Sequence, residues 1–158
     1  MSYKAAIYEA SHKSVTDFMC QFKSIALPPF KPWASFNEPT PPLKGIYAYA
    51  EFKNGAPSGP ANVLIKELFY PGVSMNQTEG MRQRKTRFLE VFHNGEQYQR
   101  NHAGAARASY QGIKLKHMYF TYLPCDDAIA LSLMEKALMM QYKRKFNRLP
   151  SCITDPMK

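Results

Sequence analysis

Leu43-Lys44-Gly45-Ile46-Tyr47-Ala48-Tyr49-Ala50-Glu51-Phe52 is the stretch on which the reading of this chain turns. It follows directly on a proline-rich run and has the aromatic and apolar content of a β-strand. Side chains alternate across a strand, so Ile46, Ala48, Ala50 and Phe52 share one face, and Gly45, Tyr47, Tyr49 and Glu51 the other. The first face has the composition of a core. The second aligns two phenols and a carboxylate. That second row has two readings: tyrosines packed against a neighbour, or groups available for chemistry.

Upstream, Tyr3 to Ile25 is expected to be helical. Leu27 to Leu43 carries Pro28, Pro29, Pro32, Pro39, Pro41 and Pro42 with Trp33 and two phenylalanines between them. Proline lacks the backbone donor that a helix or a central strand needs, so this segment reads as an extended arm or linker. Its aromatics call for a surface to pack on, in this chain or in a second subunit.

Downstream, Lys53-Asn54-Gly55 is a hairpin-type turn signal, and Asn62 to Tyr70 is expected to be a second strand ended by Pro71-Gly72. Met81 to Phe92 reads as a helix burying Met81, Phe88, Leu89 and Phe92, with Asn94 or Gly95 as its left-handed cap. Glu96 to Ser109 is a second, Ala-rich helix broken by Gly104, and Ile113 to Leu123 alternates like a third strand. Asp126 is the expected N-cap of a long last helix running to about Phe146 and closed by Asn147, Leu149 and Pro150. The fold class is therefore α+β, a small, about three-stranded, mostly antiparallel sheet flanked by helices. Three regions follow: 1–43 (N-terminal helix and arm, a dimerisation or specificity element), 44–150 (the main domain) and a tail, 151–158.

At 158 residues, with 45% hydrophobic and 13% aromatic residues, the chain has the size and composition of one globular domain. Cys20, Cys125 and Cys152 are odd in number and scattered, which argues against a disulfide framework and a zinc site. No apolar run approaches a membrane span and no signal-peptide pattern opens the sequence, so an intracellular location is expected. The net charge of +9 favours a polyanionic partner, nucleic acid being the commonest. Arg82, Arg84, Lys85, Arg87, Arg100, Arg107, Lys114 and Lys116 face only two acids between them, and Lys136 to Arg148 contains no acid at all. Gln97, Tyr98, Gln99, Arg100, Asn101 and His102 form a run able to read base edges, or simply a polar helix start.

Glu135 is the most informative residue of the last helix. At 100° per residue it lies within the sector of Leu131, Leu138, Met139 and Tyr142, inside the apolar stripe. A carboxylate there is costly unless it is paired, hydrogen-bonded or bound to metal, so it marks either a salt bridge to an arginine or a site.

Gly45-Ile46-Tyr47, a strand ending Tyr70-Pro71-Gly72, an arginine-rich helix, a strand, and a helix carrying Glu135 followed by Asn147 together resemble the GIY-YIG nuclease family, most closely its small restriction endonucleases. The resemblance spans roughly residues 44–150. It departs at Pro71, where the family usually has Ile or Val, at the longer separation of the two tyrosines, and at Phe88, one turn after Arg84, where His, Tyr or Lys is usual. It implies a metal-dependent hydrolase cutting double-stranded DNA, with Mg²⁺ (or Mn²⁺) on Glu135. Tyr47 would handle the attacking water, Tyr70 would hold the phosphate or the water, and an arginine, Arg84 or its rivals Arg82 and Arg87, would stabilise the phosphorane. Lys85, His93, His102 and His117 are the candidates for an auxiliary base. Asn147 would support the last helix or a water near the metal. Arg82, Lys85, Arg87, Gln97, Gln99, Arg100, Asn101, His102 and Arg107 would contact DNA, and a homodimer would cut both strands. The alternatives are a basic DNA- or RNA-binding protein without catalysis, a phage- or homing-type nicking nuclease, or an interaction protein using the aromatic arm.

Overall fold

Gly45–Glu51 forms the expected strand and lies in the interior of the sheet, with Ile46 to Ala50 all buried. The structure, a computed structural model, describes residues 27–33, 44–74, 86–92 and 103–153. The expected 3–25 helix, the first five residues of the expected Met81 to Phe92 helix, the His93 to His102 segment and the end of the tail lie outside the described residues.

The class is α+β, and the sheet has four antiparallel strands instead of about three. They are β1 (Lys31–Pro32), β2 (Gly45–Glu51), β3 (Leu68–Ser74) and β4 (Met118–Pro124), in the order β1-β4-β2-β3. The extra strand comes from the proline-rich arm, where Lys31 and Pro32 pair with Phe120 and Tyr119. An edge position tolerates proline, whose missing donor can face away from the ladder. Thr121 donates to the Pro28 carbonyl, and Leu27 bridges Ala61. The described part of the arm thus packs on its own chain, with Phe30 and Trp33 buried.

The second strand is displaced from its expected position. Residues 62–67 are not a strand: the Leu64 N–H donates to the Asn62 side chain and the Leu68 N–H to the Ile65 carbonyl, so the chain turns twice there. Extended structure begins at Leu68 and runs through Pro71 and Gly72, which do not end it. At the sheet edge, a proline costs no ladder bond. Tyr49 faces Tyr70 while Ala50 faces Leu68, a bulge that leaves Phe69 unpaired and turns both Phe69 and Tyr70 toward one face.

Each face of β2 meets a different helical layer. Ile46, Ala48 and Ala50 pack with Leu68, Leu131, Leu138 and Tyr142 beneath the long helix Ala128–Phe146. Tyr47 and Tyr49 pack with Phe69, Phe120 and Met118, covered by Trp33, by Phe88 and Val91 of the 86–92 helix, and by Ala105 and Ala108 of the Ala103–Tyr110 helix. Burying each large apolar side chain of these clusters stabilises the fold by about 1.5–3 kcal/mol.

Three further boundaries differ from expectation. Gly104 sits within the helix it was expected to break. The segment Leu115–His117 is a 3-10 turn that delays β4 until Met118. The N-cap of the long helix is Asp127, not Asp126: its carboxylate accepts from the N–H groups of Ile129 and Ala130 at 3.0 and 3.1 Å. The far end follows expectation, with Asn147 left-handed at φ 53° and its N–H on the Lys143 carbonyl.

Candidate functional site

Pairing of β2 with β3 brings together two tyrosines that are 23 positions apart in the sequence. The rings of Tyr47 and Tyr70 lie 6.3 Å apart at 28°, and Tyr49 stacks on both, at 5.1 and 5.9 Å. Phe88 closes the group, 4.9 Å from Tyr49 and 5.8 Å from Tyr70, and Trp33 meets Tyr49 edge-on at 4.5 Å. Such contacts hold rings by burial and by edge-to-face electrostatics, about 0.5–1.5 kcal/mol for each pair beyond its area. The result is a row of phenols with little rotational freedom.

Two glycines make that row possible. Gly72 is the cross-strand partner of Tyr47, whose phenol lies across it; a Cβ there would come within 2.6 Å of the Tyr47 hydroxyl oxygen. A Cβ on Gly104 would come within 2.5 Å of Cδ2 of Tyr70 and closer still to Cε2. Both are close-approach glycines, needed because a ring occupies the space of a side chain. Tyr47 is only 4% exposed, whereas Tyr70 is partly exposed.

Glu135 is partly buried on the long helix, between the buried Leu131 and Leu138. That helix covers the opposite face of the sheet from the tyrosine row, since its buried residues belong to the other cluster. The carboxylate and the phenols are thus carried by different layers, and a site using both has to form around the margin of β2 and β3. Asn147 is exposed and serves as the C-cap, a role that its left-handed backbone explains. Arg87 is partly buried on the 86–92 helix. Arg107 donates from Nη1 to the Cys152 carbonyl at 3.3 Å, tying its helix to the C-terminal segment. Arg82, Arg84, Lys85, His93, Gln97, Gln99, Arg100, Asn101 and His102 lie outside the described residues. His117 is partly exposed in the 3-10 turn.

Among the described residues no three His, Cys, Asp or Glu side chains come together as a metal cage. Glu135, the carboxylate that the resemblance assigns to metal, offers a hard oxygen donor of the kind that Mg²⁺ or Mn²⁺ takes. Mg²⁺ commonly binds through one or two carboxylates and completes its shell with water and phosphate oxygens. A single carboxylate fits such a site, and among the described residues there is no fully protein-made one. No described helix is long and apolar enough to cross a membrane.

The C-terminal segment fastens the edge of the tyrosine layer. The Cys152 N–H donates to the Phe69 carbonyl at 3.0 Å, and Gln111 donates to the Ser151 carbonyl at 2.9 Å. Burial pushes the Cys152 thiol up to about 11, against the opposing pull of Ser151 and Arg107. Burial likewise raises the Tyr142 phenol, with Arg148 pulling the other way. At the far end of β2, four residues or about 13 Å from Tyr47, a cleft of about 490 Å³ is lined by Glu51, Lys53, Lys66, Glu67 and Gln111.

Sequence reasoning singled out Tyr47 and Tyr70 and left Tyr49 without a role, although Tyr49 is the ring that Tyr47, Tyr70, Phe88 and Trp33 all touch. The signal was present, since Tyr49 shares Tyr47's strand face. The glycines at 72 and 104 gave no such signal, because only the register and the helix placement set a ring over each. Compared with known proteins, the chain matches no family model, no curated protein and no solved structure.

Proposed function

We propose that this protein is a divalent-metal-dependent DNA endonuclease of the GIY-YIG type, cutting double-stranded DNA in the manner of a restriction enzyme. The observation that carries the reading is the convergence of Tyr47 and Tyr70, one from each tyrosine motif, in a single fixed ring row. The partly buried Glu135 and the net charge of +9 support it.

In this reading Tyr70, the more accessible phenol, donates its hydroxyl to a phosphate oxygen or to the attacking water. Tyr47 orients that water and, as the phenolate, accepts its proton to become the neutral phenol; because a free phenol ionises near about 10, a nearby cation is needed to favour the phenolate. An arginine preceding the 86–92 helix, Arg84 or Arg82, or Arg87 upon it, takes the charge that develops on the phosphorane. Glu135 would hold Mg²⁺ or Mn²⁺, which would supply Lewis-acid polarisation of the phosphate. A homodimer presents two such sites to the two strands.

One observation favours a second reading. Tyr47 is 4% exposed and stacked on Tyr49, as a purely structural ring would be, which suits a basic DNA- or RNA-binding protein without catalysis. Incubating the protein with supercoiled plasmid in Mg²⁺ or in EDTA separates the two. Discrete, Mg²⁺-dependent fragments are expected. DNA that is retarded but intact in both conditions would select the binding protein.

A further inference from the structure

Beyond the tyrosine row, the C-terminal half of the long helix has a one-sided charge distribution. From Lys136 to Pro150 there is no acid, while Lys136, Lys143, Arg144, Lys145 and Arg148 are all exposed. Cations in the last turn complement the helix dipole, which accounts for one or two of them. It does not account for Lys136, three turns from the end.

At 100° per residue Lys136, Lys143 and Arg144 fall within a sector of about 100° on the side away from Leu131, Leu138 and Tyr142, with the buried Ala137 at its margin beyond Arg144. The remaining two are placed at the helix end by carbonyl contacts. Lys145 donates to the Leu64 carbonyl at 2.8 Å, and Arg148 donates to the Leu149 carbonyl and lies 5.7 Å from the Tyr142 ring centre. A carbonyl positions a cation and leaves its charge available to a polyanion. On the 64–67 turn that Lys145 reaches, Lys66 and Glu67 offset each other, so the positive row ends with the helix.

We propose that this face is a docking track for the phosphate backbone of double-stranded DNA, running beside Glu135; the proposal rests on the nuclease reading above and specifies where its substrate lies. Lys136 to Arg144 spans eight residues, about 12 Å of helix. Phosphates along one strand of B-DNA advance 3.4 Å per nucleotide, so the row matches about three of them. Glu135 precedes Lys136 by 100° around the helix, at the border between the cationic face and the buried stripe. A backbone held along the row therefore passes next to the one carboxylate that the resemblance assigns to metal. Contacts of this kind carry no base specificity; they set orientation and register.

The test measures binding of a fluorescent 25-base-pair duplex by anisotropy, in EDTA so that no cleavage intervenes, from 50 to 300 mM salt. Lys136→Gln/Lys143→Gln/Arg144→Gln is compared with Lys53→Gln/Lys114→Gln/Lys116→Gln, which removes the same charge from exposed positions elsewhere. The helix variant is expected to lose affinity by ten- to a hundred-fold at the lowest salt, with a log–log salt slope shallower by about 2 to 3. The control is expected to change by less than three-fold. Lys136→Arg/Lys143→Arg, which keeps the charge, is expected to bind like wild type, so a loss there would point to folding and overturn the proposal. Equal losses in both triple variants would mean that net charge alone acts, and would also overturn it. If wild type fails to bind the duplex but binds vesicles containing phosphatidylserine, the nuclease reading falls as well. If wild type binds DNA and the helix variant matches it in slope, only the track falls.

Discussion

Replacing Gly72 with alanine tests the arrangement of the tyrosine row without replacing any residue assigned to chemistry. Gly72 has ordinary extended backbone on an edge strand, so alanine brings no torsional strain there. Restricting the unfolded chain would favour the variant by about 0.4–1 kcal/mol. Against this, the new Cβ lies 2.6 Å from the Tyr47 hydroxyl oxygen, 2.7 Å from Cζ and 3.0 Å from Cε2. Each distance is about 1 Å inside ordinary carbon contact. The ring cannot simply swing aside, because Tyr49 stacks on it at 5.1 Å and Tyr70 lies 6.3 Å away. Overpacking of this kind costs about 1–3 kcal/mol, so the net loss should be about 1–2 kcal/mol. In a domain of this size that lowers Tm by roughly 3–8 °C. Urea unfolding of Gly72→Ala, Tyr47→Ala and the double variant isolates the contact. With the ring removed, the alanine should be neutral or mildly stabilising, giving a coupling of about 1.5–3 kcal/mol. Because the phenol is displaced, DNA cleavage by Gly72→Ala should fall well beyond the loss of folded protein. A stability at or above wild type, or additive single effects, would refute the placement of Tyr47 over Gly72.

Gly104→Ala should behave in parallel: helix propensity favours it by about 1 kcal/mol, but the Cβ enters the Tyr70 ring, so a net loss in Tm is expected, and a gain would show that Tyr70 does not pack there. Stability should also fall in alkali. Folded Cys152 keeps its proton up to about 11 against an ordinary value of 9.0, so its contribution is complete below pH 9 and is lost as pH rises toward 11, by up to about 2 kcal/mol. Urea midpoints from pH 8 to 11 under reducing conditions should show this slope in wild type and a weaker one in Cys152→Ala. Asp127→Ala should cost about 1 kcal/mol by freeing the N–H groups of Ile129 and Ala130, whereas Asp126→Ala should be near neutral by the same assay. Asn147→Gly should keep full stability, because glycine suits the left-handed backbone at φ 53°. Loss of cleavage in that stable variant would assign the Asn147 side chain a role beyond capping.

How far the sequence could be read depended on whether local or tertiary forces decide each element. The faces of β2 were legible because strict alternation leaves one arrangement for Ile46, Ala48 and Ala50 against Tyr47 and Tyr49. The long helix and its Asn147 terminus were legible for a similar reason, since capping and periodicity are local. The second strand was misplaced because Pro71 and Gly72 are breakers in isolation. Only an edge position and a ring lying over Gly72 reverse their meaning, and neither is visible before the sheet is assembled. The strand at Lys31–Pro32 was hidden in the same way, since its two residues pair only because β4 presents a free edge. For the site, residue types pointed to Tyr47, Tyr70 and Glu135. Their division between the two layers of the sheet was not legible, because it depends on which helix covers which face.

The most direct test compares cleavage of supercoiled plasmid by wild type and by Glu135→Gln at equal concentration in Mg²⁺, with DNA binding measured in parallel. Gln keeps the size of the side chain and removes the charge that would hold the cation. The expected result is discrete fragments from wild type, none from Glu135→Gln, and duplex affinity within a few-fold for both. Fragments produced at the same rate by Glu135→Gln would contradict the assignment of the metal. Intact plasmid from wild type in Mg²⁺ and in Mn²⁺ would contradict the nuclease itself.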